Sequence, residues 1–300
     1  MVKARSEYSL GLLFGVGAYV FWGLFPLYWP LLKPAEPLEI VSHRAVWTLV
    51  FCIIVLALLR QLKSTLAIMK HPKKMAGLFA TTVLISINWL TYIWATNNGH
   101  VVEAALGYYI NPLIIIAFGV LLLREKMRPL QWVAVGIAAI GVTILTIDYG
   151  RLPWVAISLA LSWGTYGLLK KKLDLGALEG LTIETLISLL PYGFYLFYLG
   201  NQGTGQFGNG LLLTILLISA GAMTAIPLLL FNGSTNRLPL TLVGLLQYIT
   251  PTIQFCIGVW YYHEAMPTAR WVGFVIIWVA LISLAIDLVR SGRTVNHSIA

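Results

Sequence analysis

The chain has 300 residues, of which 59% are hydrophobic and 10% are charged, whereas about 25% of an ordinary soluble domain is charged. Because no water-soluble fold of this length can bury so much apolar surface, the composition excludes a soluble protein and indicates a chain that lies in lipid. The net charge of +9 could indicate a nucleic-acid partner, but the positions of the basic residues along the chain argue against one.

Ten apolar runs are long enough to cross about 30 Å of hydrocarbon, which takes about 20 helical residues. The first run follows Lys3 and Arg5 as a signal peptide would, but it is too long and lacks a small-residue cleavage site, so we expect a retained helix. The ten expected spans are 9–31, 40–60, 75–96, 102–123, 130–148, 152–169, 180–199, 210–231, 240–262 and 268–289.

Basic residues fall almost entirely in every second connection between these spans. If the N-terminus is cytoplasmic, sixteen of the twenty Lys and Arg residues lie on the cytoplasmic side, three lie outside, and Arg44 lies within a span. This is the positive-inside pattern, and attraction to the anionic inner leaflet explains the net charge without any nucleic acid. We therefore expect a multi-pass protein of the bacterial inner membrane with both termini in the cytoplasm.

The second half of the sequence repeats the first at an offset of about 139 residues. Tyr109-Ile110-Asn111-Pro112 aligns with Tyr248-Ile249-Thr250-Pro251, and Trp22-Gly23 aligns with Trp163-Gly164. Each copy holds five spans, an odd number, so the second copy must enter the membrane in the opposite orientation. Inverted repeats are a recurrent plan of secondary transporters, whose substrate site lies near the midplane between the halves.

The expected fold is therefore an all-α membrane protein of ten transmembrane helices, arranged as two inverted five-helix repeats. The repeats are expected at 9–148 and 152–289, and a cytoplasmic tail is expected at 290–300.

Short motifs along most of the chain carry a resemblance to a known family. They are Tyr19-Val20-Phe21-Trp22-Gly23, His43-Arg44, Asn88-Trp89, Trp94-Ala95, Leu106-Gly107-Tyr108-Tyr109-Ile110-Asn111-Pro112-Leu113, Lys170-Lys171-Lys172, Ile183-Glu184-Thr185 and Gln247-Tyr248-Ile249-Thr250-Pro251-Thr252. With these motifs the sequence resembles the EamA branch of the drug/metabolite transporter superfamily, and its RarD-type group in particular. The resemblance implies a ten-helix, exporter-like fold with two EamA repeats, and it supplies no substrate.

Two prolines lie near the middle of the fourth and ninth expected spans. Pro112 and Pro251 cannot donate a backbone hydrogen bond, so each frees the carbonyl four residues earlier, at Tyr108 and Gln247. We expect these helix breaks to form a polar midplane surface that binds substrate; two structural kinks satisfied by neighbouring helices are the alternative. The expected substrate-binding residues are Trp22, Asn88, Trp94, Tyr108, Tyr109, Asn111, Trp163, Tyr166, Gln247 and Tyr248.

Parts of this set have a second interpretation. Asn88 either lines the path or hydrogen-bonds a neighbouring helix. Four aromatic residues either form a wall for a flat or cationic solute or anchor the chain at the membrane interface. They are Trp22, Trp94, Trp163 and Tyr166.

Arg44 and Glu184 occupy equivalent positions of the repeat, and a charge at a helix centre costs about 2.5–3.5 kcal/mol. Because the repeat is inverted, they lie toward opposite ends of the bundle and are not expected to meet. We expect Arg44 to contact Glu103, and Glu184 to contact Arg237 or one of Lys170–Lys172. The hypothesis is two charge clusters that close alternate faces of a transporter; static interface anchors are the alternative.

Other titratable groups give weaker expectations. His43 is a candidate for proton coupling, with a hydrogen-bonded structural role as the alternative. Glu264 ends the ninth span and is expected to be solvated. Cys52 and Cys256 lie in apolar runs, so neither a disulfide nor a metal site is expected. The sequence has no nucleotide-binding loop and no catalytic constellation, so we expect no cofactor and no enzymatic activity.

These features predict a secondary active transporter, an exporter of small metabolites or drugs that works by alternating access around a midplane cavity. A non-transporting membrane scaffold and an intramembrane enzyme are the alternatives. The expected partners are a small-molecule substrate and the lipid bilayer, and a homo-oligomer is left open.

Overall fold

A computed structural model describes residues 2–123, 129–238 and 240–297, and every regular element in these ranges is a helix. The connection at 124–128, the last three residues of the predicted tail and the side chain of Pro112 lie outside what is described.

Thirteen helices in the described ranges follow the expected spans closely. They are α1 (Val2–Gly23), α2 (Phe25–Tyr28), α3 (Pro37–Leu58), α4 (Leu62–Ile68), α5 (Pro72–Asn97), α6 (Val101–Leu123), α7 (Pro129–Tyr149), α8 (Trp154–Leu173), α9 (Ala177–Gln202), α10 (Leu211–Thr235), α11 (Leu240–Leu246), α12 (Ile249–Cys256) and α13 (Thr268–His297). A 3-10 turn covers Trp29–Leu32, and a π-helical turn covers Ile257–Tyr261. Because α13 continues to His297, most of the tail predicted from residue 290 is helix.

Six of these helices are long and apolar enough to cross a membrane, namely α3, α5, α7, α9, α10 and α13. A seventh span results if Glu7–Gly23 and Phe25–Leu32 are counted together across their 41° bend. The chain is therefore a multi-pass membrane protein. The count of ten spans stays a prediction, because α6, α8, α11 and α12 are not among the six.

The two predicted helix breaks have different outcomes. Pro112 lies inside α6, which continues as one helix to Leu123, so the break predicted there is wrong. A membrane helix tolerates one missing backbone bond when its neighbours repack around it. The other break is confirmed: α11 and α12 are separated at Gln247 and Tyr248, and Pro251 lies in the first turn of α12, where no backbone donor is needed.

Helices of one half pack mainly against helices of the other. α1 packs on α10 and α12, and α8 packs on α5 and α6. α3 packs on α9 and α10, α5 packs on α9, and α7 pairs with α13. α3 and α10 cross closely at Gly221, where a Cβ would fall on the backbone carbonyl of Trp47.

Side-chain contacts tie the connections together at each end of the bundle. At one end, Glu264 accepts hydrogen bonds from the backbone of Val101, and Gln206 donates its backbone N–H to Glu39. We name this the Glu103 end, after the buried acid at the start of α6. At the other, which we name the Lys170 end, Arg237 pairs with Glu7.

Candidate functional site

Arg44 on α3 is only 4% exposed and points into the bundle. Its Nε donates to Oγ1 of Thr224 on α10 at 2.8 Å, and its guanidinium lies 4.0 Å from the centre of the Trp89 ring. The rings of Trp29 and Phe25 lie at 4.8 and 5.8 Å. Among the described residues, no carboxylate lies within 4.0 Å of this guanidinium. The charge is therefore held by aromatic faces and one hydroxyl.

Phenol groups complete these surroundings, with Tyr28, Tyr92, Tyr108 and Tyr192 all within electrostatic range of the guanidinium. The hydroxyl of Tyr92 and Nε1 of Trp29 are buried, and neither has a hydrogen-bond partner in the described part of the chain. We name as the Arg44 cage the set Phe25, Trp29, Arg44, Trp89, Tyr92, Tyr108 and Thr224.

Asn88 connects the cage to α8. Tyr108 donates to Oδ1 of Asn88 at 3.4 Å, and Nδ2 of Asn88 donates to Ser162 Oγ at 3.1 Å and to the carbonyl of Leu159 at 3.3 Å. The amide therefore hydrogen-bonds a neighbouring helix, as one of its two interpretations stated, and it also borders the cage.

The other predicted substrate-binding residues divide between two regions. Asn111 faces α8, is 3% exposed, and has an Oδ1 with no partner among the described residues. Tyr109 points away from the cage, because its hydroxyl donates to Thr252 at 3.0 Å. Tyr109 and Tyr248 belong to a second core between α6, α7, α12 and α13, and Gln247 is half-buried at the helix break. The structure therefore brings Asn88 and Tyr108 together and leaves Tyr109 and Tyr248 elsewhere.

The predicted aromatic wall is wrong as one continuous surface, because its four members fall into three groups. Trp22 packs with Tyr19 at 5.7 Å and Phe231 at 5.9 Å, Trp94 stacks on His100 at 5.3 Å and packs with Trp154 at 5.0 Å, and Trp163 stacks on Tyr166 at 5.5 Å. Trp94 thus lies at the Glu103 end, where α6 begins, while Tyr166 lies toward the Lys170 end.

Glu184 on α9 has a full set of partners. Its Oε1 accepts from Lys170 Nζ at 3.2 Å and from Thr81 Oγ1 at 2.6 Å, and its Oε2 accepts from the Tyr166 hydroxyl at 3.1 Å. The predicted contact with Lys170 is confirmed. The alternative contact with Arg237 is wrong, because that arginine pairs with Glu7 at 2.8 Å.

Arg44 and Glu184 do not meet, as expected. Cys52 and Thr182 are neighbours across the antiparallel helices α3 and α9, which gives the register of the two helices. At 1.5 Å per residue this register places Glu184 about 9 Å along the helix axis from Arg44.

The predicted contact between Arg44 and Glu103 is wrong. Glu103 is 1% exposed and accepts from Arg151 NH2 at 2.8 Å and from the backbone N–H of Val155 at 3.1 Å. Arg151 lies in the connection before α8, next to the start of α6. Its charge-assisted hydrogen bonds hold the Glu103 carboxylate there, so Glu103 does not reach into the bundle toward Arg44.

His43 lies one residue from Arg44 but on a different face of α3. Its ring stacks on Phe207 at 4.9 Å, and its Nε2 is 4.0 Å from Glu39. The backbone N–H of Gln206 donates to Glu39 at 2.6 Å, so the connection between α9 and α10 covers this face at the Glu103 end.

Glu264, expected to be solvated, is half-buried and caps a helix instead. Its two oxygens accept from the backbone N–H groups of Val101 and Val102, at 2.6 and 3.0 Å, at the start of α6. Burial raises the pKa of this carboxyl above its ordinary value, while those two N–H groups act in the opposite direction. Four N–H groups at a helix start lack intrahelical partners, and the carboxylate satisfies two of them.

Two apolar surface grooves lie outside the predicted site. One, of about 410 Å³, lies along α12 and the π-helical turn at Cys256, Ile257 and Trp260. The other, of about 500 Å³, lies on α9 at Leu186, Leu190 and Phe194. Within the described residues, no three His, Cys, Asp or Glu side chains are grouped to hold a metal ion.

Sequence reasoning missed most of the cage. Trp29, Tyr92 and Thr224 were not predicted, and Trp89 was noted only within a motif. The available signal was Arg44 itself, because a cation inside a membrane must find aromatic faces or hydroxyls when no acid is near.

A multi-pass helical bundle with charged residues buried between its helices has the architecture of a membrane transporter. The model of the EamA-like transporter family matches residues 9–147 and 153–286, and the chain belongs to this family. It is 48% identical over 293 residues to a protein named RarD from Streptomyces exfoliatus, covering 97% of this chain and 93% of that one. It is 46% identical to the uncharacterized transporter YojE of Bacillus subtilis, covering 96% and 98%. The predicted family and RarD-type resemblance are thus confirmed.

A solved crystal structure shares the fold, with a TM-score of 0.62 and 16% identity over 94% of this chain and 99% of the other. The bacterial relatives and the multi-pass architecture are consistent with a protein of the bacterial inner membrane.

Proposed function

We propose that the chain is a secondary active transporter, an exporter of small metabolites or drugs that alternates access around a midplane site between its two halves. The ten segments α1, α3, α5, α6, α7, α8, α9, α10, α11–α12 and α13 would each cross the bilayer. The two family matches support the division into repeats at 9–148 and 152–289.

One observation carries this proposal: contacts between the halves occur in exchanged pairs. A Cβ on Gly23 of α1 would lie 2.9 Å from Ile253 Cβ on α12, and a Cβ on Gly164 of α8 would lie 3.1 Å from Ile114 Cγ2 on α6. Gly23 aligns with Gly164, and Ile114 aligns with Ile253, in the repeat found in the sequence. Exchanging the two halves therefore maps the α1–α12 contact onto the α8–α6 contact, as a pseudo-two-fold axis in the membrane plane requires.

The ends of the bundle support the inversion. α1 starts at the Lys170 end, where Arg237 contacts Glu7, whereas α8 starts at the Glu103 end, where Val155 contacts Glu103. The Lys-rich connection 59–71 also follows α3 at the Lys170 end. By the positive-inside rule we place this end, with both termini, in the cytoplasm.

Alternating access would use the two charge clusters as gates. The Glu103–Arg151 pair and the Glu264 cap hold the outer face, and the Glu184–Lys170 pair holds the inner face. His43, stacked under Phe207 at the outer face, would couple proton movement to gating. Energy would come from an ion gradient.

The direct test is flux in proteoliposomes that contain the full chain, with a panel of metabolites and drugs at varied pH gradient. Gradient-dependent movement of a solute supports the proposal. A protein that is folded but moves none of them under any gradient contradicts it and favours a non-transporting scaffold.

A cross-link tests the gates separately. In a background without Cys52 and Cys256, E39C and Q206C would form a disulfide that holds the outer connection on α3, since these residues are hydrogen-bonded. Transport should stop on oxidation and return on reduction. Undiminished transport in the oxidised protein would contradict alternating access at this face.

A further inference from the structure

Arg44 differs from three well-covered acids whose charge is compensated by a cation in the described part of the chain. Glu103 is paired with Arg151, Glu184 with Lys170, and Asp148 with Arg270 at 2.8 Å. Arg44 has none of these counter-charges among the described residues, although it is only 4% exposed. A buried charge is costly unless it is paired, so a cation kept without a counter-ion indicates that the counter-ion arrives from outside the chain.

Unsatisfied donors beside Arg44 point the same way. The Tyr92 hydroxyl and Trp29 Nε1 are buried without partners, and both residues belong to the Arg44 cage. Leaving a buried donor unpaired costs about 1–3 kcal/mol, so two beside one cation make a set that is complete only when an acceptor is present. The Thr224 hydroxyl already donates its hydrogen to the carbonyl of Ala220, so it is not a third donor that lacks an acceptor.

The shape of the surroundings limits the acceptor. One guanidinium neutralises one negative charge, and a planar guanidinium matches the two oxygens of a carboxylate. The adjacent surfaces of Phe25, Trp89 and Tyr108 are aromatic, so they favour an apolar or aromatic body over a sugar or a polyanion.

We propose that the substrate is an organic monocarboxylate with an apolar or aromatic body, and that its carboxylate binds Arg44 with Tyr92 and Trp29 as additional donors. This inference rests on the proposed transport function and names the substrate class for that site. Because Arg44 is only 4% exposed, a ligand reaches it only when the helices around the Arg44 cage move apart.

The test measures ligand-dependent thermal stability of the purified full chain with matched pairs of probes. Benzoate, phenylacetate and indole-3-acetate are each compared with the corresponding neutral amide. At least one carboxylate should raise the melting temperature saturably, and its amide should not. A panel in which no carboxylate stabilises the protein, or in which the amides act equally, overturns the proposal.

Variants assign the effect to Arg44. Arg44→Gln should weaken carboxylate binding about 30-fold or more, because one partner of a desolvated charge pair is lost. Tyr92→Phe should weaken it about tenfold or more, as expected for one hydrogen bond to a charged acceptor. Lys33→Gln, which removes an equal charge from an exposed position at the Glu103 end, should leave binding unchanged.

The melting curve without ligand reports whether each variant folds, and Arg44→Lys keeps the charge if Arg44→Gln does not fold. Carboxylate binding that is equal in the wild type, Arg44→Gln and Tyr92→Phe overturns the proposal. If carboxylates do not bind but another solute is moved in proteoliposomes, this inference fails and the transport function stands. If no solute binds or moves, both fail.

Discussion

The surroundings of Arg44 and Glu184 differ although the two residues occupy equivalent positions of the repeat. Glu184 is neutralised within the chain by Lys170 and receives two further hydrogen bonds, from Thr81 and Tyr166. Among the described residues, Arg44 has one hydrogen bond, to Thr224, and it has aromatic rings on its other sides. Both charged side chains hydrogen-bond to a threonine on a helix of the opposite half. The two sites therefore share this contact and differ in whether the chain supplies a counter-charge.

This difference separates a charge that is compensated within the chain, and so stabilises the closed arrangement, from a charge that is left open for a ligand. A compensated acid stabilises the fold, and removing its partner should show first in stability. An uncompensated cation contributes little to stability, and removing it should show first in ligand binding. The predictions below test this separation in order of the size of the expected effect on stability.

Lys170→Met should lower the free energy of unfolding by about 3–5 kcal/mol, because it leaves the Glu184 carboxylate buried without a counter-ion. Thermal unfolding in detergent measures the loss. Lys172→Met is the matched control, since Lys172 is exposed on the same helix and its removal should change stability by less than about 0.5 kcal/mol. Equal effects of the two variants would contradict the structural role of the pair.

Gly221→Ala should destabilise the protein by about 1–3 kcal/mol, because the added Cβ falls on the carbonyl of Trp47 and separates α10 from α3. The separation also displaces Thr224, one turn further along α10, from Arg44. Gly136→Ala is the control, because nothing lies within 4 Å of its added Cβ. Ligand affinity and melting temperature should both fall in Gly221→Ala, and neither should change in Gly136→Ala.

Arg44→Met should leave the free energy of unfolding unchanged within about 1 kcal/mol or raise it, because replacing a buried charge by an apolar side chain is often neutral or stabilising. Flux in proteoliposomes should be lost nonetheless. A loss of stability as large as that of Lys170→Met would show that the cage holds the fold together and would remove the distinction between the two sites.

Glu264→Gln should have a small effect on stability at neutral pH, about 1 kcal/mol or less, because an amide oxygen can accept from only one of the two N–H groups that the carboxylate caps. Its distinctive effect should be on pH dependence. Burial raises the pKa of this carboxyl in the folded state above its ordinary 4.5, so the folded state binds more protons than the unfolded one just above that pH. Stability should therefore fall as pH rises through this range, and the substitution should remove that component of the fall. Melting temperatures collected from pH 4 to pH 8 provide the comparison; identical slopes in both proteins would contradict it.

Much of the fold could be predicted from the sequence, because lipid allows few alternatives for a backbone that must satisfy its own hydrogen bonds. Helix bounds near the expected spans, the break at Pro251 and the pairing of Glu184 with Lys170 all followed from local pattern and repeat register. Pro112 shows the limit: the same local signal leaves α6 unbroken, because its helical neighbours decide whether one lost bond ends a helix.

The candidate site was less predictable, because its members come from helices far apart in sequence. The Arg44 cage combines α2, the turn after it, α3, α5, α6 and α10, and the sequence fixes no rotation of one helix against another. The expected partner of Arg44 was wrong for this reason. Glu103 lies at a suitable depth, but Arg151 reaches it through a connection of only a few residues.

The packing of α1 on α10 and α12, and of α8 on α5 and α6, has a consequence for synthesis. The first five membrane segments leave the ribosome before the helices that cover them exist. The packing face of α5 waits in lipid for α8 and α9, and those of α1 and α3 cannot be completed before α10 arrives after residue 210. Native contacts across such sequence distances form slowly. Assembly therefore begins across the two halves once α8 is made and finishes only when α13 has arrived to pair with α7, so that the two halves interlock as two separate subunits would.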